Sequence, residues 1–219
     1  MQHYSIQPES MIRYLALGDS YTIGEGVPDG ASWPEQYANL LNAGAWSIAR
    51  PVSVIAKTGW STDELIQAIS TEMPLPKYDW VSLLIGVNNQ YRGRDIDNFC
   101  IEFIQLTKFA SQLCGNGNAG LQVLSIPDWG QTPFGFACSR DLNQISSEID
   151  AFNDTAKSVC ESADIAFLDI TTLTRKHCAQ AHMHAEDGLH PSRQMYHLWA
   201  NALLSQGKFG KLHILSKEK

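Results

Sequence analysis

Short, nearly unbroken apolar runs alternate along this sequence with longer stretches of helical period, and that rhythm constrains the fold more than any other feature. Five runs read as strands: Ile12 to Leu17, Ser53 to Lys57, Trp80 to Ile85, Leu121 to Ile126 and Ile165 to Ile170, each bounded by polar or turn residues. In the third, Val81, Leu83, Leu84 and Ile85 are apolar on both faces, the pattern of a strand covered on both sides. Parallel strands joined by crossover helices follow, and with them a three-layer α/β domain.

The segments between the strands carry the helices. Trp33, Tyr37, Leu40 and Leu41 share one helical face, and Ser61 with Glu64 has the spacing of a capping box opening the segment of Leu65 and Ile69. Two longer series, Ile96, Phe99, Phe103, Leu106, Ala110 and Leu113, then Ile145, Ile149, Phe152, Ala156 and Val159, repeat at three and four residues. A last helix is expected from about Pro191 to Leu204, followed by a Lys-rich tail that reads as a solvated end. Pro127 to Asp141, rich in Gly, Pro and aromatic residues, reads as one long irregular loop and a pocket wall. Neither an internal repeat nor a linker divides the 219 residues, so a single domain over 1–219 is expected, with its core at about 12–204.

Composition excludes several function classes. With 44% hydrophobic and 18% charged residues the chain has material for a core. Its 16 Lys and Arg against 23 Asp and Glu give a net charge of −7, which opposes capture of nucleic acid or an anionic membrane surface. No run approaches the ~20 apolar residues that cross a bilayer, and MQHYSIQPES lacks the order of a signal peptide. A soluble, cytoplasmic protein without integral membrane association is expected. Cys100, Cys114, Cys138, Cys160 and Cys178 contain no CxxC pair, which fits a reducing compartment. The Asn153 glycosylation triplet would matter only on a secretory route.

Gly115 to Gly120 spells GxGxxG, but a helix precedes it and a strand follows, the reverse of a dinucleotide-binding context, so it reads as a helix stop. Gly18-Asp19-Ser20-Tyr21-Thr22 directly follows the first strand. Gly, Asp and Ser are turn and cap residues in their own right, yet a serine at this place lies on the sheet edge where open α/β folds bind ligands. The same edge receives Gly59 and Asn88, which are a loop glycine and a turn former on the bland reading. Together they can supply a close backbone N–H and a neutral side-chain donor, the parts of an oxyanion hole.

In Glu186-Asp187-Gly188-Leu189-His190-Pro191, a tight turn through Gly188 can bring the carboxylate onto imidazole Nδ1. A nucleophilic serine needs that orienting pair. Pro191 suits the first position of the helix after it. A metal reading competes, because His182, His184, Asp187 and His190 fall within nine residues; histidines at spacing two without a helix to align them fit a surface cluster better. No metal and no cofactor is expected. Tyr21, Trp60, Tyr91, Trp129, Phe134 and Phe136 fall in loops near the active edge and read as lining for an apolar acyl pocket.

With Gly18-Asp19-Ser20, Gly59, Gly86-Val87-Asn88 and Asp187 with His190 in order, the chain resembles the SGNH (GDSL) hydrolase family over about Ile12 to Leu204. The resemblance implies a flavodoxin-like five-stranded parallel sheet in the order 2-1-3-4-5, a triad of Ser20, His190 and Asp187, and an oxyanion hole formed by Ser20, Gly59 and Asn88. Two positions depart from the family pattern, Tyr21 for the Leu after the serine and Asn89 for the Asp after the block-III asparagine. The expected activity is hydrolysis of a small-molecule ester through an acyl-enzyme. Short-chain esters, lysophospholipids, thioesters and acetylated sugars all remain open as substrates. Two other readings stand beside it. A flavin- or phosphate-binding module would use Ser20-Tyr21-Thr22 with Gly24 and Gly26 as a cradle, and a non-catalytic ligand binder would keep only the pocket.

Overall fold

A computed structural model describes residues 11–44, 46–73 and 75–207; the Lys-rich tail lies outside the described residues. The five apolar runs form β1 (Tyr14–Gly18), β2 (Ser53–Ala56), β3 (Trp80–Leu84), β4 (Leu121–Leu124) and β5 (Ala166–Leu168). All pairings are parallel, in the order β2-β1-β3-β4-β5, the order the resemblance implies. Every residue of β1, β3 and β4 is buried, whereas the edge strands β2 and β5 are covered only in part. Full burial explains their near-continuous apolarity, each Leu contributing roughly 1.5–3 kcal/mol. The polar side chains in these strands are paired: Ser82 Oγ lies 2.8 Å from Tyr14 Oη, and Gln122 Nε2 donates to the carbonyls of Val123 and Ala166 at 3.0 and 3.1 Å.

Among the described residues the chain forms α1 (Ser20–Ile23), α2 (Trp33–Asn42), α3 (Thr62–Glu72), α4 (Val87–Tyr91), α5 (Ile96–Leu113), α6 (Pro133–Ala137), α7 (Leu142–Ser162), α8 (Thr171–His177) and α9 (Arg193–Gln206). Neighbouring α3, α5 and α7 cover one face of the sheet; α2 and α9 pack together on the other, with α8 beside α9. The expected capping box closes at the start of α3, where Ser61 N–H donates to Glu64 Oε2 at 2.9 Å. The two long periodic series are α5 and α7, each opened by an aspartate, Asp95 and Asp141, that accepts two backbone N–H groups. No helix among the described residues is long and apolar enough to cross a membrane.

Two expectations are corrected. Pro191 does not open α9: Ser192 is its N-cap and accepts Met195 N–H at 3.3 Å, while Pro191 bridges antiparallel to His184. Proline's missing donor therefore falls in a short hairpin before the helix. The stretch Pro127–Asp141 is not one irregular loop either. It holds a 3₁₀ turn at Trp129–Gln131 and α6, whose N-cap Thr132 accepts Gly135 N–H at 3.1 Å. Five residues span too little helix to leave a periodic trace in sequence.

Candidate active site

β1 delivers Ser20 to the carboxyl edge of the sheet, and the local sequence fixes how it arrives. Asp19 leaves the strand as the N-cap of α1, its Oδ1 accepting Tyr21 N–H at 3.0 Å, so Ser20 becomes the first residue of that helix. A helix start leaves backbone N–H groups without intrahelical acceptors. Ser20 N–H has no partner among the described residues.

Each flanking strand adds a loop at the same edge. After β2, Lys57–Trp60 turns back with Trp60 N–H donating to Lys57 O at 3.2 Å, and Gly59 takes φ +85 at the third position, where a type II turn requires glycine. Its N–H is likewise unpartnered among the described residues. After β3, Asn88 sits in α4 and donates one Nδ2 hydrogen to Trp60 O at 2.9 Å; a primary amide has a second.

The Asp187–His190 turn forms as the spacing allows. Gly188 adopts φ +67, its N–H donates to Ala185 O at 3.0 Å, and Asp187 Oδ1 accepts the Leu189 and His190 amides at 2.8 and 2.9 Å. This leaves Asp187 Oδ2 2.6 Å from His190 Nδ1. Burial pushes the Asp187 carboxyl up, but the hydrogen bonds from the His190 ring and the two amides outweigh it and hold it below the usual carboxylate range. An ionised carboxylate only accepts, so Nδ1 carries the proton and a neutral ring has its lone pair on Nε2. The Tyr21 ring packs edge-on against His190 with centroids 5.6 Å apart.

Ser20, Gly59, Asn88 and His190 line one cavity of about 230 Å³. Tyr21, Val87, Tyr91, Trp129, Phe134 and Leu189 supply its apolar walls. Ser20 is 5% exposed, and its Oγ makes no hydrogen bond to His190 in this structure. Of the aromatic residues expected at the pocket, Trp60 and Phe136 lie elsewhere. Trp60 flanks α3 beside Glu64 and Gln67, and Phe136 faces outward. Of the clustered histidines, His184 Nε2 lies 2.6 Å from Cys178 O, and among the described residues no group of three or more His, Cys, Asp or Glu is arranged to hold a metal ion. Gly24 N–H donates to Ser20 O at 3.1 Å, closing α1 instead of facing a phosphate.

Several positioning groups carried no sequence signal. Trp129 Nε1 donates to Gln90 Oε1 at 2.7 Å, Gln90 Nε2 donates to Glu148 Oε2 at 2.6 Å, and the Arg140 guanidinium lies 5.4 Å over the Trp129 ring. Buried Asp128 anchors the same corner, accepting from Gly130 N–H, Ser146 Oγ and Arg175 Nε at 3.0, 2.6 and 2.9 Å. Apart from the local Asp128–Gly130 bond, their partners lie far apart in sequence, so no local pattern marks them.

A hydroxyl, an imidazole with its tautomer fixed, and neutral N–H donors around one apolar cavity are the components of nucleophilic acyl transfer. Comparison with known proteins agrees at the level of family. The GDSL-like lipase/acylhydrolase family profile matches residues 16–198. No curated protein matches the sequence. Among solved structures, a lipolytic protein of the G-D-S-L family from Veillonella parvula is 18% identical with TM-score 0.68, covering 89% of this chain and 97% of that one. The lipase/acylhydrolase from Enterococcus faecalis is 19% identical with TM-score 0.69, covering 90% and 96%. An acetylxylan esterase from Geobacillus stearothermophilus is 18% identical with TM-score 0.65, covering 88% and 92%. At these identities the structures speak for the fold, and the profile match over most of the chain speaks for kinship: this chain belongs to the GDSL-like lipase/acylhydrolase family, and with it to the hydrolases of carboxylic esters.

Proposed function

We propose that Ser20, His190 and Asp187 act as nucleophile, general base and orienting carboxylate in ester hydrolysis through an acyl-enzyme. The observation that carries this reading is the Asp187–His190 contact of 2.6 Å on a cavity whose wall also holds Ser20. His190 Nε2 takes the Ser20 proton as Oγ attacks the ester carbonyl, and the carbonyl π pair moves onto oxygen. The Ser20 and Gly59 amides and the Asn88 side chain hold that oxyanion. On collapse the bond to the alkoxide breaks, and His190 returns the proton to it. Water, deprotonated by His190, then attacks the acyl-enzyme carbonyl; the acyl–Oγ bond breaks, His190 passes that proton to Ser20 Oγ, and the carboxylic acid leaves. The Ser20–His190 hydrogen bond closes in the substrate complex, as such bonds commonly do.

The walls supply the acyl preference. A cavity of about 230 Å³ falls below the ~300–1,000 Å³ of pockets for drug-sized ligands, and its aromatic and aliphatic lining favours a short apolar acyl chain. A panel of nitrophenyl esters of rising chain length tests this, with Ser20→Ala as control. The expected profile rises through short chains, falls for long ones and vanishes in Ser20→Ala. Hydrolysis that persists in Ser20→Ala, or none with wild type, overturns the assignment.

A further inference from the structure

The donors assigned to the oxyanion hole come from two loops whose strands do not pair with each other, joined at the loops by the Asn88 Nδ2 bond to Trp60 O. Gly59 follows β2 and Asn88 follows β3, and these strands lie on opposite sides of β1, ~10 Å apart at the usual strand spacing. A cradle for one oxygen needs both loops held at a fixed separation. Arg92, the C-cap of α4, spans the gap. Its Nη2 donates to Gly59 O at 2.7 Å, and its Nη1 donates to Glu64 Oε2 at 2.9 Å and Ser61 Oγ at 3.2 Å.

The guanidinium thus grips both ends of the segment bearing Gly59: the glycine carbonyl itself and the capping box where α3 begins. Only a planar fork with several donors reaches all three acceptors at once. Asn89 completes the seam, accepting Thr62 N–H at 3.1 Å and donating to Thr62 Oγ1 at 2.6 Å. A carboxylate at position 89 would accept but not donate, so this pairing gives a physical reason for the asparagine.

The segment needs restraint because of its turn. Type II and type I turns differ by rotation of the central peptide, here Thr58–Gly59, and glycine tolerates both. That peptide carries the Gly59 N–H, and the Arg92 bond to Gly59 O fixes the peptide after it, so the glycine is held from its C-terminal side. The Arg92–Glu64 pair, each side chain 40% exposed, adds little to global stability at such exposure. Its contribution is to local geometry.

We propose that Arg92 is a positioning residue for the oxyanion hole, holding the Gly59 turn in register with Asn88 through the Gly59 carbonyl and the Ser61–Glu64 cap. The inference rests on the assignment of Ser20, Gly59 and Asn88 to one hole. The test compares wild type, Arg92→Ala and Arg92→Lys for kcat and KM on a short-chain nitrophenyl ester, for affinity toward a trifluoromethyl ketone of the same acyl length, and for Tm.

Arg92→Ala should lose about 10²-fold in kcat, the scale of a misplacement near 1 Å, with KM little changed. Affinity for the ketone, which forms an oxyanion on Ser20, should fall in step while Tm holds. Arg92→Lys, reaching fewer acceptors, should fall between, and millimolar methylguanidinium should restore part of the Arg92→Ala rate. Active wild type with Arg92→Ala within twofold of it overturns the proposal, as does a loss confined to KM or matched by a fall in Tm. A wild type without Ser20-dependent esterase activity instead overturns the hydrolase assignment on which it stands.

Discussion

Replacing Asp19 with asparagine removes an acid from a place where the fold offers its charge little compensation. The side chain is 0% exposed; Oδ1 accepts Tyr21 N–H at 3.0 Å, and Oδ2 is buried without a partner. Burial pushes the carboxyl from 3.8 up to about 7, against the lowering effect of the Tyr21 amide. A raised folded-state pKa means that the native state holds the proton more tightly than the unfolded chain. Its stabilising contribution is full below about 3.8 and is lost as pH rises through about 7. At roughly 1.4 kcal/mol per pH unit, about 3 kcal/mol of it disappears between about pH 5 and about pH 8. Asparagine keeps the acceptor for Tyr21 N–H and does not titrate. Urea denaturation followed by tryptophan fluorescence should therefore show Asp19→Asn gaining on wild type by up to that amount as the pH is raised. Parallel stability profiles, or a wild type that gains on the variant with rising pH, would refute the reasoning.

Asn88→Ala should lower kcat by ~10²- to 10³-fold, the loss of one oxyanion donor, measured on nitrophenyl esters with folding checked by circular dichroism. In Asp187→Asn the side-chain oxygen can still accept the Leu189 and His190 amides and keep the turn, but the amide group then faces Nδ1 and favours the wrong tautomer. A loss of about 10⁴-fold in kcat is expected with little change in urea midpoint. Trp129→Phe strips the donor from Gln90 Oε1, which lies 2.7 Å from the indole nitrogen in a buried corner. A destabilisation of about 1–3 kcal/mol should appear in urea titration, together with a shift in acyl-chain preference.

The legibility of this fold in its sequence follows from where each signal is stored. β1, β3 and β4 are buried on both faces, and unbroken apolarity is a local property that reads off directly. The ends of β2, β3 and β4 read too long because Lys57, Ile85, Ser125 and Ile126 leave the ladder to start the loops at the sheet's carboxyl edge, whereas β1 runs one residue further than its apolar run, to Gly18. Ser20, Gly59 and Asn88 could be picked out as candidates because turn and cap chemistry restricts residue types just past strand ends, and the Asp187–His190 pair because a tight turn through Gly188 sets its spacing. By contrast α1, α4 and α6, of four or five residues, are too short for a period. Trp129 was legible as an aromatic residue near the edge, while the bonds that fix it come from Gln90 and Arg140, on segments whose contact with it depends on the finished fold. Arg92 is hidden for the same reason, since Gly59 and Glu64 precede it by 33 and 28 residues. The Trp60 ring lies outside the cavity, and what Trp60 contributes beside it is its carbonyl, the acceptor of Asn88 Nδ2.

The central claim is that the hydroxyl of Ser20 is a nucleophile activated by His190. Reaction with a fluorophosphonate, followed by intact-mass measurement and peptide mapping, tests it most directly. One adduct per chain on Ser20, absent in Ser20→Ala and much slower to form in His190→Ala, is the expected result. An unmodified Ser20, or labelling that His190→Ala leaves at the wild-type rate, would contradict it.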